Sequence, residues 1–309
     1  MAIKSKNQGK LSEPVVMAYL TGVALVLTAG ICWSVIPTFV KKFEAAGTWQ
    51  ILFYRSFGVL PLIYFLCARQ SKQGVWTEIK NSGWVGIVGG MGLVMAYAGG
   101  IASVRITSIA NAAFLFATAP FMAAIMARTI LKESIRPSTI WALCLALLGI
   151  AIMVSGNFSQ GKWWGDVLAL CSALGFAIFT TALRVGREQN TLPLIMLGSL
   201  FSIVTSALII LLTQSGFYLP WQEVVLALAI GFFALGVGMF LYSLGSKVVP
   251  AAELALLCMT EVLLAPVWAW LFLREVPEPG VILGGTILIL AIIYNALTGM
   301  RRKPVPVTF

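Results

Sequence analysis

The chain has 309 residues, of which 60% are hydrophobic and only 10% charged. Soluble globular chains carry about 45–50% apolar and ~25% charged residues, so this one has too few charges to cover a water-facing surface. The net charge of +10 raises the question of nucleic acid, but the basic residues sit at the ends of apolar runs and form no patch, so no nucleic-acid partner is expected. Histidine is absent, which excludes imidazole-based triads, HExxH zinc sites and imidazole proton relays. The five cysteines stand singly without CxxC spacing, so neither a metal site, a disulfide framework nor a cofactor is indicated.

A helix crosses the ~30 Å hydrocarbon core with about 20 apolar residues. Ten runs qualify: 17–38, 50–68, 84–103, 109–130, 138–156, 165–184, 193–213, 222–243, 250–272 and 279–299. Their lengths fit helices and exceed the strands of a membrane barrel. The first follows Lys4, Lys6 and Lys10, as a signal peptide would, but its apolar run to Val40 outlasts the 7–15 residues of such a peptide. It is therefore kept as a span, and it carries Trp33-Ser34. The second holds Arg55, about one turn from its start, and Pro61. Arg55 has three readings there: snorkelling to headgroups, neutralising Glu44 or Glu261, or binding a carboxylate. The third contains Tyr97 and the glycine-rich run Gly86–Gly92, which opens no βαβ unit and reads as a close-packing surface. The fourth has Phe114 and Phe116, which read as lipid-facing or packing residues, and Pro120, and ends at Lys132-Glu133. The sixth opens on Gly165-Asp166, and the eighth holds Tyr242. The ninth carries Glu261, Pro266 and Trp268 and ends at Arg274-Glu275.

Positive charge orients such a chain. Of the 21 lysines and arginines, Lys41, Lys42, Arg105, Lys162 and Arg274 fall on the side opposite the N-terminus, and Arg55 lies within a span. The other fifteen share the N-terminal side, which places both termini in the cytoplasm. The sequence also repeats. Shifted by 142 residues, Gly89 meets Gly231, Arg105 meets Lys247, and Leu115 meets Leu257. In the same register Leu131-Lys132-Glu133 meets Leu273-Arg274-Glu275. Five spans per repeat is an odd number, so the second repeat is expected upside down relative to the first. Inverted repeats mark secondary transporters, with the site near the midplane between halves. The expected fold is thus an all-α integral membrane protein of ten helices in two inverted five-helix repeats, 1–156 and 157–309.

These residues resemble the EamA branch of the drug/metabolite transporter superfamily over about 17–298. Trp33-Ser34 followed by Lys41 resembles its first-span motif, and Arg55 its second-span arginine. Ala119-Pro120 with Glu133 resembles the fourth span, and Gly165-Asp166 the start of the second repeat. Glu261 and Glu275 match the acidic positions of the ninth span, where Val262 replaces a frequent proline. The resemblance implies carriage of small organic solutes, often amino acids and often outward. It also implies a cavity between helices 1–4 and 6–9, with helices 5 and 10 peripheral.

Glu261 is the most informative residue. A charge near the centre of a span costs at least ~2.5–3.5 kcal/mol on insertion scales, so it must face a cavity, find a partner or be neutralised. It reads as a substrate-ammonium partner or a proton-coupling carboxyl, against a structural acid that fixes helix packing. Trp33, Tyr97, Tyr242 and Trp268 are the candidate aromatic contacts for a cation, with interfacial anchoring the alternative for Trp268. Asn111 and Glu253 are equivalent by the repeat and read as helix-start residues. The expected function is a non-enzymatic secondary transporter of the plasma membrane (the inner membrane in bacteria), exporting an amino acid or amine by alternating access. Coupling to protons or to exchange is left open, as is a monomer or a homodimer; the partners are a small solute and membrane lipid. Two alternatives are an uptake carrier for a cationic or quaternary-amine solute and a lipid-modifying membrane enzyme, the latter without a cluster of acids or cysteines to work with.

Overall fold

Backbone N–H and C=O groups in hydrocarbon must be paired within the protein, and a helix does this inside each segment. The computed structural model describes residues 13–40, 42–71, 73–106, 109–154, 163–186, 190–274 and 279–300, and among these there is helix and no strand. In the N-terminal half the helices are α1 (Glu13–Ser34), α2 (Ile36–Val40), α3 (Thr48–Gln70), α4 (Val75–Asn81), α5 (Gly83–Ile106), α6 (Ile109–Phe116), α7 (Ala119–Thr129) and α8 (Pro137–Val154). In the C-terminal half they are α9 (Trp163–Val185), α10 (Leu192–Leu212), α11 (Trp221–Ala229), a π-helical stretch (Ile230–Gly236), α12 (Val237–Gly245), α13 (Ala251–Cys258), α14 (Thr260–Leu273) and α15 (Pro279–Gly299).

Eight helical segments among the described residues are long and apolar enough to cross a membrane, the ninth expected run counting as one segment, Ala251–Phe272. The fourth and fifth expected runs fall short, as Phe114–Thr129 and Pro137–Met153. The fourth is divided by a turn at Ala117 and Thr118, and α8 has only 18 residues. At 1.5 Å per residue α8 reaches about 27 Å, just under the hydrocarbon thickness. The boundary expected at 156 and 157, the basic residues Lys4, Lys6, Lys10, Lys41, Lys72, Lys162, Arg187, Arg301, Arg302 and Lys303, and Glu275 lie outside the described residues, as do the side chains of Asn111 and Pro266.

The 142-residue register is visible in the backbone. The fourth run breaks at Ala117–Thr118, and the ninth breaks at Met259, the counterpart of Ala117. Thr118 Oγ1 donates to the Leu115 carbonyl at 2.6 Å, and its counterpart Thr260 Oγ1 donates to the Leu257 carbonyl at 2.7 Å. Lys132 and Arg274, also counterparts, both have left-handed φ, 53° and 57°. Pro120 stands at the start of α7, where its missing N–H costs least. The break in the second repeat forms with Val262 at the matching position, so proline is not its cause. The shared feature is a threonine hydroxyl bonded back to a carbonyl of the preceding turn. Pro61, by contrast, lies inside an unbroken α3.

Close packing comes from small residues, as it must where lipid is as apolar as the side chains. Along α5 and α9, a Cβ on Gly92 would lie 2.9 Å from the Gly175 carbonyl oxygen, and one on Gly175 2.6 Å from that of Gly92. The fifth and tenth runs pack on each other, and a Cβ on Gly149 would lie 2.7 Å from the Gly284 carbonyl. Exposed Trp76, Trp84, Trp141, Trp163, Trp164 and Trp221 all stand near helix starts, the positions of interfacial anchors. Replacing Gly175 with Val should therefore overpack the α5–α9 contact and lower stability by about 1–3 kcal/mol. Thermal unfolding of the purified protein in detergent checks this, with Leu212→Val at an exposed position expected to leave the melting point unchanged.

Candidate functional site

Where α1 passes the break in the ninth run, Gly30 permits a close approach: a Cβ there would lie 3.1 Å from Thr260 Cβ and 3.5 Å from the Glu261 backbone nitrogen. One turn along α1, buried Trp33 meets Tyr242 of α12 (ring centroids 5.3 Å apart) and Phe176 of α9 (6.0 Å). Phe116, at the end of α6, closes on Phe176 at 5.7 Å, and Phe179 stacks on Tyr242 at 6.3 Å. This aromatic wall draws on four helices and on both repeats. The Tyr242 hydroxyl shares a 2.7 Å hydrogen bond with Thr180 Oγ1, and both Cys258 and Glu261 lie within electrostatic reach of it. The Trp33 indole N–H is buried without a partner. Glu261 stands half-buried in the first turn of α14, so the positive end of that helix favours its charge.

The other expected site residues lie apart from this wall. Trp268 donates its indole N–H to Ser34 Oγ at 2.7 Å and stacks on Phe272 at 6.0 Å, so it joins α14 to the end of α1. Tyr97 packs its ring beneath the Arg55 guanidinium, with Cζ 4.7 Å from the ring centroid. Arg55 does not snorkel: it is 4% exposed, and its Nε and Nη2 have no hydrogen-bond partner. Its backbone carbonyl lies against Gly231 of the π-helical stretch, which has no Cβ to prevent the approach.

Two polar clusters join the halves of the chain at opposite ends of the helices. In the first, Arg184 of α9 holds Glu133 through Nη2 (2.5 Å) and Nε (3.2 Å) and donates to the Ser246 carbonyl at 2.7 Å. Beside it Arg136 pairs with Glu253 at 2.9 Å, and Tyr19 donates to the same carboxylate at 2.9 Å. Glu253 does stand in the first turn of α13, but its carboxylate is engaged across the two halves. In the second cluster the Glu223 carboxylate accepts the backbone N–H groups of Glu44, Ala45 and Ala46 at 3.1, 3.0 and 2.9 Å. Arg105 donates to the Ala46 carbonyl at 2.7 Å.

Sequence reasoning missed Phe176, Phe179 and Thr180 in the wall, and the Glu133–Arg184 and Tyr19–Glu253–Arg136 connections. Opposite charges at span ends expected on one side of the membrane were the available signal for the ion pairs. Removing one member of a buried pair strands the other and costs about 3–5 kcal/mol, whereas replacing both costs far less. Glu133→Gln and Arg184→Gln should each lower the melting point strongly, and the double variant should regain much of the loss. Melting of the three purified proteins measures this.

The profile of the EamA-like transporter family matches residues 20–155 and 163–297. A curated relative, the pseudopaline exporter CntI of Pseudomonas aeruginosa, is 30% identical over 290 residues, covering 90% of this chain and 96% of its own. An uncharacterized transporter of Helicobacter pylori is 23% identical over 278 residues, covering 87% of this chain and 88% of its own. A solved crystal structure superposes with a TM-score of 0.78 over 90% of this chain and 98% of its own, at 15% identity, a likeness of fold alone.

Proposed function

The chain belongs to the EamA-like transporter family, and on that premise we propose that it exports a small organic metabolite of the amino-acid or amine class by alternating access. It is a multi-pass membrane protein and a non-enzymatic transporter; in bacteria such a protein resides in the inner membrane. The finer reading has ten helices, the fourth being α6 with α7 and the fifth α8, in two inverted repeats of 1–156 and 157–309 with both termini cytoplasmic. The excess of basic residues on the N-terminal side supports that orientation.

The observation that carries the proposal is the pair of helix breaks in matching register, Ala117–Thr118 and Met259. Interrupted helices in corresponding positions of two repeats point to a binding site between them. Trp33 and Tyr242, packed on each other and buried in this arrangement, would present aromatic faces when the halves part, and Glu261 near them would supply a negative charge, a combination suited to an ammonium group. Tyr97 acts on the solute through Arg55, and Trp268 through Ser34. Both the Glu133–Arg184 cluster and the Glu223 clasp are formed in this structure; the first opens when the path faces the cytoplasm and the second when it faces outward. Outward direction is supported by the exporter name of the Pseudomonas aeruginosa relative. Glu261 is also the acid best placed to carry a coupling proton.

The test is counterflow in liposomes, with labelled amino acids and amines outside and the same solutes loaded within. Wild-type protein is expected to exchange at least one of them, and Glu261→Gln, which keeps shape but cannot ionise, to lose about tenfold or more of that rate at an unchanged melting point. A Gln variant with normal rate and normal pH response removes both the binding and the coupling role of Glu261. Wild-type liposomes that exchange none of the panel overturn the assignment of substrate class.

A further inference from the structure

Arg55 is a buried cation of the second span, and the reading above leaves open what it holds. Two of its nitrogens, Nε and Nη2, are buried without a hydrogen-bond partner. They are not an arbitrary pair. Nε–H and the outer N–H of Nη2 lie on one edge of the planar guanidinium and point the same way, which is the edge that takes a carboxylate bidentately. The flat face of the group is already occupied by the Tyr97 ring, 4.7 Å from Cζ. The free edge is therefore a fixed fork and not a mobile charge. Buried polar groups in native proteins are nearly always satisfied, so an open charged edge of this kind calls for a ligand.

The same chain shows what fills such an edge elsewhere. In Arg184 these two nitrogens, Nε and Nη2, both donate to the Glu133 carboxylate, at 3.2 and 2.5 Å. Within the described residues neither acid expected to neutralise Arg55 meets it. Glu44 is exposed on a loop whose backbone the Glu223 carboxylate holds, and Glu261 lies by Tyr242. The π-helical stretch presses Gly231 against the Arg55 carbonyl, and π turns are often kept where a helix must present a site.

We propose that the Nε/Nη2 edge of Arg55, held flat on Tyr97, binds the carboxylate of the transported solute. The cargo is then a carboxylate-bearing solute such as an amino acid and not a simple amine, and Arg55 meets its carboxylate at a point apart from the aromatic wall. This assignment rests on the transporter reading above and narrows its substrate class.

The experiment uses purified full-length protein in liposomes and matched solute pairs differing in the carboxylate: L-phenylalanine with phenethylamine, L-tryptophan with tryptamine, L-leucine with isopentylamine, and L-lysine with cadaverine. Protein-dependent accumulation is read by mass spectrometry after subtracting protein-free liposomes. Wild-type protein is expected to carry the acid member of at least one pair about ten- to a hundredfold better than the amine, the effect of losing a charged hydrogen-bonded pair. Arg55→Gln should bring the acid down to the level of the amine, with Arg55→Lys intermediate. Comparable carriage of amines and acids by wild-type protein leaves the transporter reading standing and overturns the carboxylate site, even where the Arg55 variants do not fold. An acid preference unchanged in folded Arg55→Gln assigns the edge to water or lipid phosphate and also overturns it. Accumulation of neither member of any pair sinks the amino-acid reading itself, and the carboxylate site falls with it.

Discussion

No water replaces a missing hydrogen-bond partner in hydrocarbon, so every backbone group and every charge within a span must be met by the protein or by a ligand. The rest of the structure depends on that constraint. Helices satisfy the backbone; glycines at Gly92 and Gly175 let two of them approach closely enough to enclose an interior. The few charges retained are then either paired, as in Glu133–Arg184 and Arg136–Glu253, or placed beside the aromatic wall or on a single aromatic ring. Glu261 and Arg55 belong to the second kind.

The two repeats turn this constraint into a device. A threonine hydroxyl bonded to the third carbonyl before it accompanies the interruption of the helix in both halves, so the site is bordered by two broken helices related by one register. Packed interfaces of this type have discrete arrangements and do not deform continuously. Two clusters at opposite ends of the helices, one built on Arg184 and the other on Glu223, join the two halves, and in the proposed alternating access these are the contacts to be broken in turn.

Much of this was legible in the sequence because apolar length is a strong signal. Eight of the ten expected runs form full-length helical segments, and the 142-residue register read from Leu131-Lys132-Glu133 and Leu273-Arg274-Glu275 reappears as matching breaks and matching left-handed residues. The interruption of the fourth run was not legible, because a threonine or serine back-bond to the preceding turn also occurs in unbroken helices, as at Thr28, Ser56 and Thr181. Of the residues singled out as separate candidates, Trp33 and Tyr242 pack on each other across the two halves, with Glu261 near them. Tyr97 and Trp268 were not neighbours of that group, since their partners Arg55 and Ser34 are set by helix rotation, which a uniformly apolar helix does not encode. The mean burial pattern of α5, for example, gives little facial asymmetry to read, with Gly86, Gly89, Gly90 and Gly92 all buried. Arg55 itself looked interfacial from its position one turn into a span, and only its packing shows the open edge.

Transport by the proposed route requires that the two ends of the helices open reciprocally. Paired spin labels can measure this in liposomes, one pair at exposed Lys132 and Lys247 across the Arg184 cluster and another at exposed Glu44 and Gln222 across the Glu223 clasp. Besides the described arrangement with both clusters closed, two populations are expected, in which one distance is long while the other stays short, with transported solute shifting their ratio. A single fixed distance for both pairs, or distances that lengthen together, would contradict reciprocal opening.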